Sequence, residues 1–345
     1  MTPLRGSVTV LTTGGTIGQV SQADGRSTPT FEPASLAASL DLPDVHIEFL
    51  SVMHKGSKDI VPDDWVVLAN AVADVLARDP NRGVVVLHGT DTLHFTSAAL
   101  SLMLSGIGVP IVLTGSMIPG GDVNSDAREN LRDAVSVAAF GDLAEVCVVF
   151  SADRQRSGSV IIRGSRARKV HSYAIDAFAS VNAPPLGQVV NGDIAFGPYP
   201  RRHRRRSTIR ANTSLDQNVV LVKATPALTE SMLTRMLAGT SGAVLEGTGV
   251  GHIKSELHDV IADYAKPVVI STQAWCGGER LGSYKADERT LALPNVVQGG
   301  SLTSESALVS LMWALGQEGD SLAQVKETVS VQLDASQAET GQRSS

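Results

Sequence analysis

Val8-Thr9-Val10-Leu11-Thr12-Thr13-Gly14-Gly15-Thr16-Ile17-Gly18 runs an apolar strand pattern into a glycine turn. The β-branched, near-continuous apolar run Val8–Thr12 has the pattern of a strand covered on both faces, as in a parallel sheet. Gly14 and Gly15 then let the backbone turn sharply at the carboxyl end of that strand, where open α/β sheets place their ligands. The third glycine of a dinucleotide fingerprint is missing, so the turn is not a nucleotide motif. A threonine hydroxyl held there can act as a nucleophile when a base stands near. Taken alone, the stretch also reads as an ordinary strand-end turn.

Working outward, the same kind of strand recurs at Gly83–Leu87, Pro110–Thr114, Val146–Ser151, Asn218–Val222, Gly242–Glu246 and Lys266–Ser271. Apolar residues at helical spacing fill the gaps at Trp65–Ala77, Thr96–Ser105, Ser125–Phe140, Thr229–Ala238 and Ser304–Gly316. Strand–helix–strand alternation predicts βαβ units with right-handed crossovers, hence an α/β fold. Glycines, prolines and the run Arg201, Arg202, His203, Arg204, Arg205, Arg206 interrupt this alternation, which resumes at Asn218. The expected organisation is a larger N-terminal domain over 1–190, a linker over 191–216, a smaller C-terminal α/β domain over 217–332 and a disordered tail over 333–345.

The second strand end to carry reactive groups is His88-Gly89-Thr90-Asp91-Thr92, directly after Gly83–Leu87. A hydroxyl and a carboxylate leave a buried strand, and a helix opens nearby with its N–H donors free for an anion. Thr90 or Asp91 as a helix cap would be unremarked. Two threonine-rich turns after two strands of one sheet point both hydroxyls at one crevice.

Composition excludes several functions. The net charge of -6 over 345 residues argues against a general nucleic-acid surface. The arginine run can be read as a phosphate contact, but it is short and lacks interleaved aromatics, so a solvated linker fits it better. Cys147 and Cys276 match no metal or redox spacing, and no His/Cys/Asp cluster has ligand spacing, so no metal or other cofactor is expected. Neither a secretory signal nor a bilayer-length apolar run is visible, which predicts a cytoplasmic protein without a membrane partner.

Together the two motifs, in this order and at about this distance, resemble the bacterial-type L-asparaginase/glutaminase family, which includes the asparaginase-like subunit of archaeal glutamyl-tRNA(Gln) amidotransferase. The resemblance spans roughly residues 7–316. It implies a two-domain asparaginase-like fold and hydrolysis of a side-chain carboxamide to carboxylate and ammonia. The nucleophile it implies is Thr16. Thr90 and Asp91 from the second motif, with Lys169 from a later segment, complete a relay. Gly15, Ser57, Lys58, Gly89 and Ser116 are the implied substrate-binding residues, with backbone N–H groups near Thr90 and Ser116 forming an oxyanion hole. Chemically the set is coherent: a threonine hydroxyl must lose its proton to attack, and a lysine takes it only when burial or a neighbouring cation lowers its pKa. Lys169 lies in the basic stretch Arg163–Lys169 and otherwise reads as a surface lysine.

Three features depart from the family pattern. Secreted-type asparaginases carry an assisting tyrosine on the loop after the first turn, and Gln19–Leu50 holds none; Phe31 is the only aromatic before Phe49. Lys58 stands where a glutamine helps hold the free amino acid, and a cation there would repel an α-amino group. The segments Lys169–Val181, Glu246–His252 and Ser304–Gly316 are similar to the tRNA-amidotransferase branch. That branch has an extra N-terminal domain, which this chain, read as beginning at the first strand, is expected to lack. The family closes each site with a residue from a neighbouring subunit, so a homodimer or homotetramer is expected, with Glu246, His252 and Glu279 as candidates for that residue. The substrate is then a small asparagine-like amide. The alternatives are an amide hydrolase acting on a larger asparagine-bearing substrate, or an ammonia-supplying glutaminase working with a larger partner. A non-enzymatic relative is disfavoured by the presence of all four core residues.

Overall fold

The computed structural model describes residues 6–22, 24, 26–28, 32–198, 210–319 and 321–340. Phe31 and the arginine run at 201–206 lie outside the described residues. The chain divides into two compact units, Met1–Ser180 with Pro185–Thr213, and Val181–Pro184 with Ser214–Ser345.

The first unit is built on an eight-stranded sheet. Its strands are β1 (Gly6–Thr12), β2 (Val45–Ser51), β3 (Gly83–Leu87), β4 (Ile111–Thr114), β5 (Val146–Ser151), β6 (Ser159–Arg163), β7 (Gly187–Val190) and β8 (Asp193–Phe196), in the order β8-β7-β6-β5-β4-β3-β1-β2. The first five strands run parallel. The last three extend the sheet antiparallel. Every residue of β3, β4 and β5 is buried, as expected for strands covered on both faces. The helices are α1 (Pro62–Arg78), α2 (Leu93–Met103) and α3 (Ala127–Phe140), and α3 lays Ala127, Leu131, Ala134 and Val135 into the same core as Val8, Val10 and Val85. Register matters for the site. Thr12 lies opposite Leu87, and Leu87 opposite Thr114, so the chain leaves β1, β3 and β4 at one level.

In the second unit β9 (Val219–Lys223), β10 (Gly242–Gly247), β11 (Val268–Thr272) and β12 (Val296–Gln298) form a parallel sheet in chain order. Alternate residues face opposite ways along a strand. Leu245 and Ile270 pack on one face with α4 (Glu230–Leu237) and α5 (His258–Tyr264). Val244 and Val269 pack on the other with α6 (Ser304–Leu315) and α7 (Ser321–Thr340). The polar composition predicts a disordered tail from 333, whereas α7 continues to Thr340. Its driving force is the stripe Leu322, Val325, Val329 and Leu333, which recurs at helical spacing and covers the apolar face of the sheet. Among the described residues no helix is long and apolar enough to cross a membrane.

The basic stretch 163–169 is not a solvated surface. Arg163 is buried, and its guanidinium meets the buried Glu145 carboxylate through Nε–Oε2 and Nη2–Oε1 distances of 2.6 and 2.9 Å. Removing one partner strands a buried charge, which costs roughly 3–5 kcal/mol. Glu145→Ala and Arg163→Met should each lower the melting temperature by several degrees, and the double variant Glu145→Leu/Arg163→Met should recover most of the loss. Equal and additive losses in thermal melts would contradict a coupled pair.

Candidate active site

The first turn is fixed by its neighbours. Thr13 donates both its N–H and its hydroxyl to the Leu87 carbonyl, at 3.1 and 2.9 Å, tying the end of β1 to the end of β3. Lys55 N–H donates to the Thr13 carbonyl at 2.8 Å. Gly15 has φ +89°, and a Cβ there would lie 2.6 Å from Gly89 Cα, so only glycine lets the two turns meet. Thr16 begins a short 3-10 turn, Thr16–Gly18, anchored by buried Ile17. Its carbonyl accepts from Gln19 N and Gly120 N at 3.0 and 3.2 Å. No hydrogen-bond partner for its hydroxyl stands among the described residues.

The second turn holds the ionic centre. Lys169 ends the strand Ala167–Lys169, which pairs with Phe178–Ser180 in a short antiparallel ribbon. Its ammonium donates to Thr90 Oγ1 at 2.9 Å and to Asp91 Oδ1 at 2.7 Å. The Lys169 side chain is 11% exposed and that of Asp91 65%, so the ion pair joins a largely buried cation to a carboxylate at the surface. Ser57 braces this turn from the side. Its Oγ accepts from Asp91 N at 3.2 Å, its carbonyl accepts from Thr92 Oγ1 at 2.7 Å, and a Cβ on Gly89 would lie 2.7 Å from Ser57 Oγ.

A third turn follows β4. Buried Asn130 donates from Nδ2 to the Gly115 carbonyl at 3.0 Å and accepts from Ser151 Oγ at 2.9 Å. Asp126 accepts the N–H groups of Met117 and Ile118. Ser116 Oγ is buried with no partner among the described residues. The structure therefore joins Thr90, Asp91 and Lys169 directly and stacks Gly15, Gly89 and Ser57 beside them. Lys58 stands apart, exposed, with its ammonium 3.3 Å from the Asp59 carboxylate. A cavity of about 540 Å³ lies against the first turn, lined by Gly14, Gly15, Glu32, His54 and Lys55 among others. Of the candidates in the second unit, Glu246 sits near Lys223, His252 pairs with Asp287 at 2.9 Å, and buried Glu279 accepts from Leu281 N, Gln298 and Gly300 N. Among the described residues no group of three His, Cys, Asp or Glu side chains could hold a metal ion.

Two histidines near the ion pair are given no role by the sequence, although His88 opens the second motif, because neither has a spacing that singles it out. His88 is fully buried; Nδ1 lies 2.6 Å from the Gly89 carbonyl and Nε2 2.9 Å from Thr96 Oγ1. Burial pushes its pKa down to about 4, so the ring is neutral. For His94, burial and then the positive charges of Arg168 and Lys169 likewise push the pKa down to about 4. In the unfolded chain both return to about 6.5. Between those values the unfolded state binds protons that the folded state refuses, so stability falls as pH is lowered through that window. Each ring should withdraw about 3 kcal/mol as pH nears 4. Melting temperatures from pH 7 to 4.5 should fall, and His94→Phe should flatten the fall. A His94→Phe profile parallel to that of the unsubstituted chain would contradict this.

The family model for the asparaginase N-terminal region matches residues 7–201, and that for the glutaminase/asparaginase C-terminal domain matches residues 218–328. The L-asparaginase of Thermococcus kodakarensis is 38% identical over 279 residues, covering 79% of this chain and 81% of that protein. A glutamyl-tRNA(Gln) amidotransferase subunit from Methanobrevibacter smithii is 33% identical over 328 residues, covering 92% of this chain and 74% of that protein. The solved structure of the thermostable L-asparaginase from Thermococcus kodakarensis superposes with a TM-score of 0.83 at 35% identity, covering 94% of this chain and 96% of that one. With both family models matched along its length and strand-end turns that meet as described, the chain belongs to the asparaginase family and is an asparaginase-type hydrolase.

Proposed function

We propose that the chain hydrolyses the side-chain carboxamide of an asparagine-like substrate to carboxylate and ammonia through a threonine ester. One observation carries this reading: the Lys169 ammonium lies 2.9 Å from Thr90 Oγ1 and 2.7 Å from Asp91 Oδ1. A hydroxyl, a nearly buried amine and a carboxylate in one chain of hydrogen bonds can pass a proton in either direction. Thr16 supplies the attacking oxygen. As the C–O bond forms, its proton passes to Thr90 and the Thr90 proton to Lys169, which has first handed one of its own protons to Asp91. The C–N bond then breaks, and the same groups return a proton so that neutral ammonia leaves. Water attacks the resulting ester, frees the acid and restores Thr16. Lys58 does not oppose an α-amino group at full strength, because Asp59 pairs with it, though an exposed pair of this kind is weakly held.

The cellular setting follows from the same family reading. We place the enzyme in the cytoplasm, where its free cysteines, buried Cys147 and exposed Cys276, remain reduced. We read it as a homodimer or homotetramer on the family pattern. A second reading, ammonia supply to a larger partner or action on a larger asparagine-bearing substrate, is favoured by the amidotransferase-like segments and by the absence of a tyrosine in Gln19–Leu50.

The test is ammonia release from L-asparagine, L-glutamine and a peptide with an internal asparagine. L-Asparagine should be hydrolysed. Thr16→Ala, Thr90→Val and Lys169→Met should each lower kcat by roughly a thousandfold or more, and Asp91→Asn by roughly a hundredfold, since groups acting as a unit fail together. A Thr90→Val enzyme within threefold of the unsubstituted one would overturn the relay. Turnover of the peptide alone would replace the small-amide reading with the larger-substrate one.

A further inference from the structure

The His88 ring has no hydrogen bond to either proposed catalytic threonine, yet it grips one edge of the peptide that carries Thr90. A carbonyl oxygen only accepts, so the 2.6 Å contact to Gly89 O places the ring proton on Nδ1. Nε2 must then accept, and the Thr96 hydroxyl at 2.9 Å donates to it. The Gly89 carbonyl thereby fixes the tautomer, and Thr96 holds the far edge of the ring. The peptide between Gly89 and Thr90 is trans, so its C=O and N–H point in opposite directions. With the carbonyl held toward the buried ring, the Thr90 N–H faces away from it. Among the described residues nothing accepts from that N–H.

A clamp is needed at this point because the residue is glycine. Gly89 cannot carry a side chain against Ser57, and without one its peptide can rotate cheaply. A flipped peptide would present the carbonyl lone pairs where the N–H had been, which repels rather than stabilises a developing oxyanion. The neighbouring strand end uses the same device. Asn130 holds the Gly115 carbonyl at 3.0 Å from the buried side, on the peptide that carries the Ser116 N–H.

We propose that His88 is a positioning residue for amide hydrolysis: as an Nδ1–H donor to the Gly89 carbonyl, with its far edge held by Thr96, it keeps the Thr90 N–H turned toward the substrate's oxyanion. This inference rests on the Thr90 site proposed above. His88 acts through the peptide, so its loss should appear in kcat rather than in substrate binding.

The test compares two side-chain amides in the full-length chain. His88→Asn places an amide N–H near the Nδ1 position and keeps the donor to Gly89 O. His88→Gln places it near Nε2 and loses that donor. With L-asparagine as substrate, kcat should fall roughly 10- to 100-fold in His88→Gln with KM within about threefold, and His88→Asn should stay within about threefold of the unsubstituted enzyme, given what a misdirected oxyanion donor costs. Thermal melts report whether each variant is folded. Equal kcat in the Asn and Gln variants, or a loss confined to KM, overturns the proposal even when both fold. Thr90→Val is measured alongside. If it abolishes turnover while His88→Gln does not, only the positioning role falls. If Thr90→Val stays active, the site reading falls and this inference falls with it.

Discussion

An ammonium ion with little access to water must find its partners inside the protein, and the region around the site is organised by that need. Lys169 arrives on a short ribbon far along the chain and donates to Thr90 and Asp91, which sit on the turn after β3. The ammonium thereby joins the ribbon to the turn. Two histidines nearby are kept neutral: His88 by burial, and His94 by burial together with the charges of Arg168 and Lys169.

Strand register converts this local contact into a site. Because Thr12, Leu87 and Thr114 are level across β1, β3 and β4, three turns emerge side by side. They approach so closely that glycine is required where they touch, at Gly15 against Gly89 and at Gly89 against Ser57. Each turn is held from its buried side by a side chain or backbone group, through Thr13 on the first, His88 on the second and Asn130 on the third. The groups these braces leave unused include the Thr16 hydroxyl, the Thr90 N–H and Ser116 Oγ, donors of the kind that stabilise a developing oxyanion.

Much of this could be read from the sequence, for reasons tied to distance along the chain. The buried strands announce themselves because parallel strands covered on both faces are continuously apolar, and Thr16, Thr90 and Asp91 sit directly at their ends. Lys169 could be placed only by resemblance. Its ribbon is three residues long, and its partners lie 78 and 79 residues away. Strands β7 and β8 escaped notice because each is only four residues long and alternates exposed residues with buried or half-buried ones. Helix α7 escaped because its apolar stripe is diluted by polar residues toward the end of the chain. The stretch Arg163–Lys169 reads as a basic surface, yet Arg163 and Arg166 are buried, an outcome that composition along seven residues cannot reveal. The role of His88 is invisible in sequence, since it depends on which carbonyl its ring meets.

Cleavage of an amide at these turns through a threonine ester would leave a covalent trace on the enzyme. The most direct measurement is acid-quenched peptide mapping by mass spectrometry of the enzyme during steady-state turnover of L-asparagine. An aspartyl ester is expected on the peptide containing Thr16, absent before substrate is added and lost once it is exhausted. An aspartyl adduct confined to a residue outside the first two turns, such as one in the second unit, would contradict it.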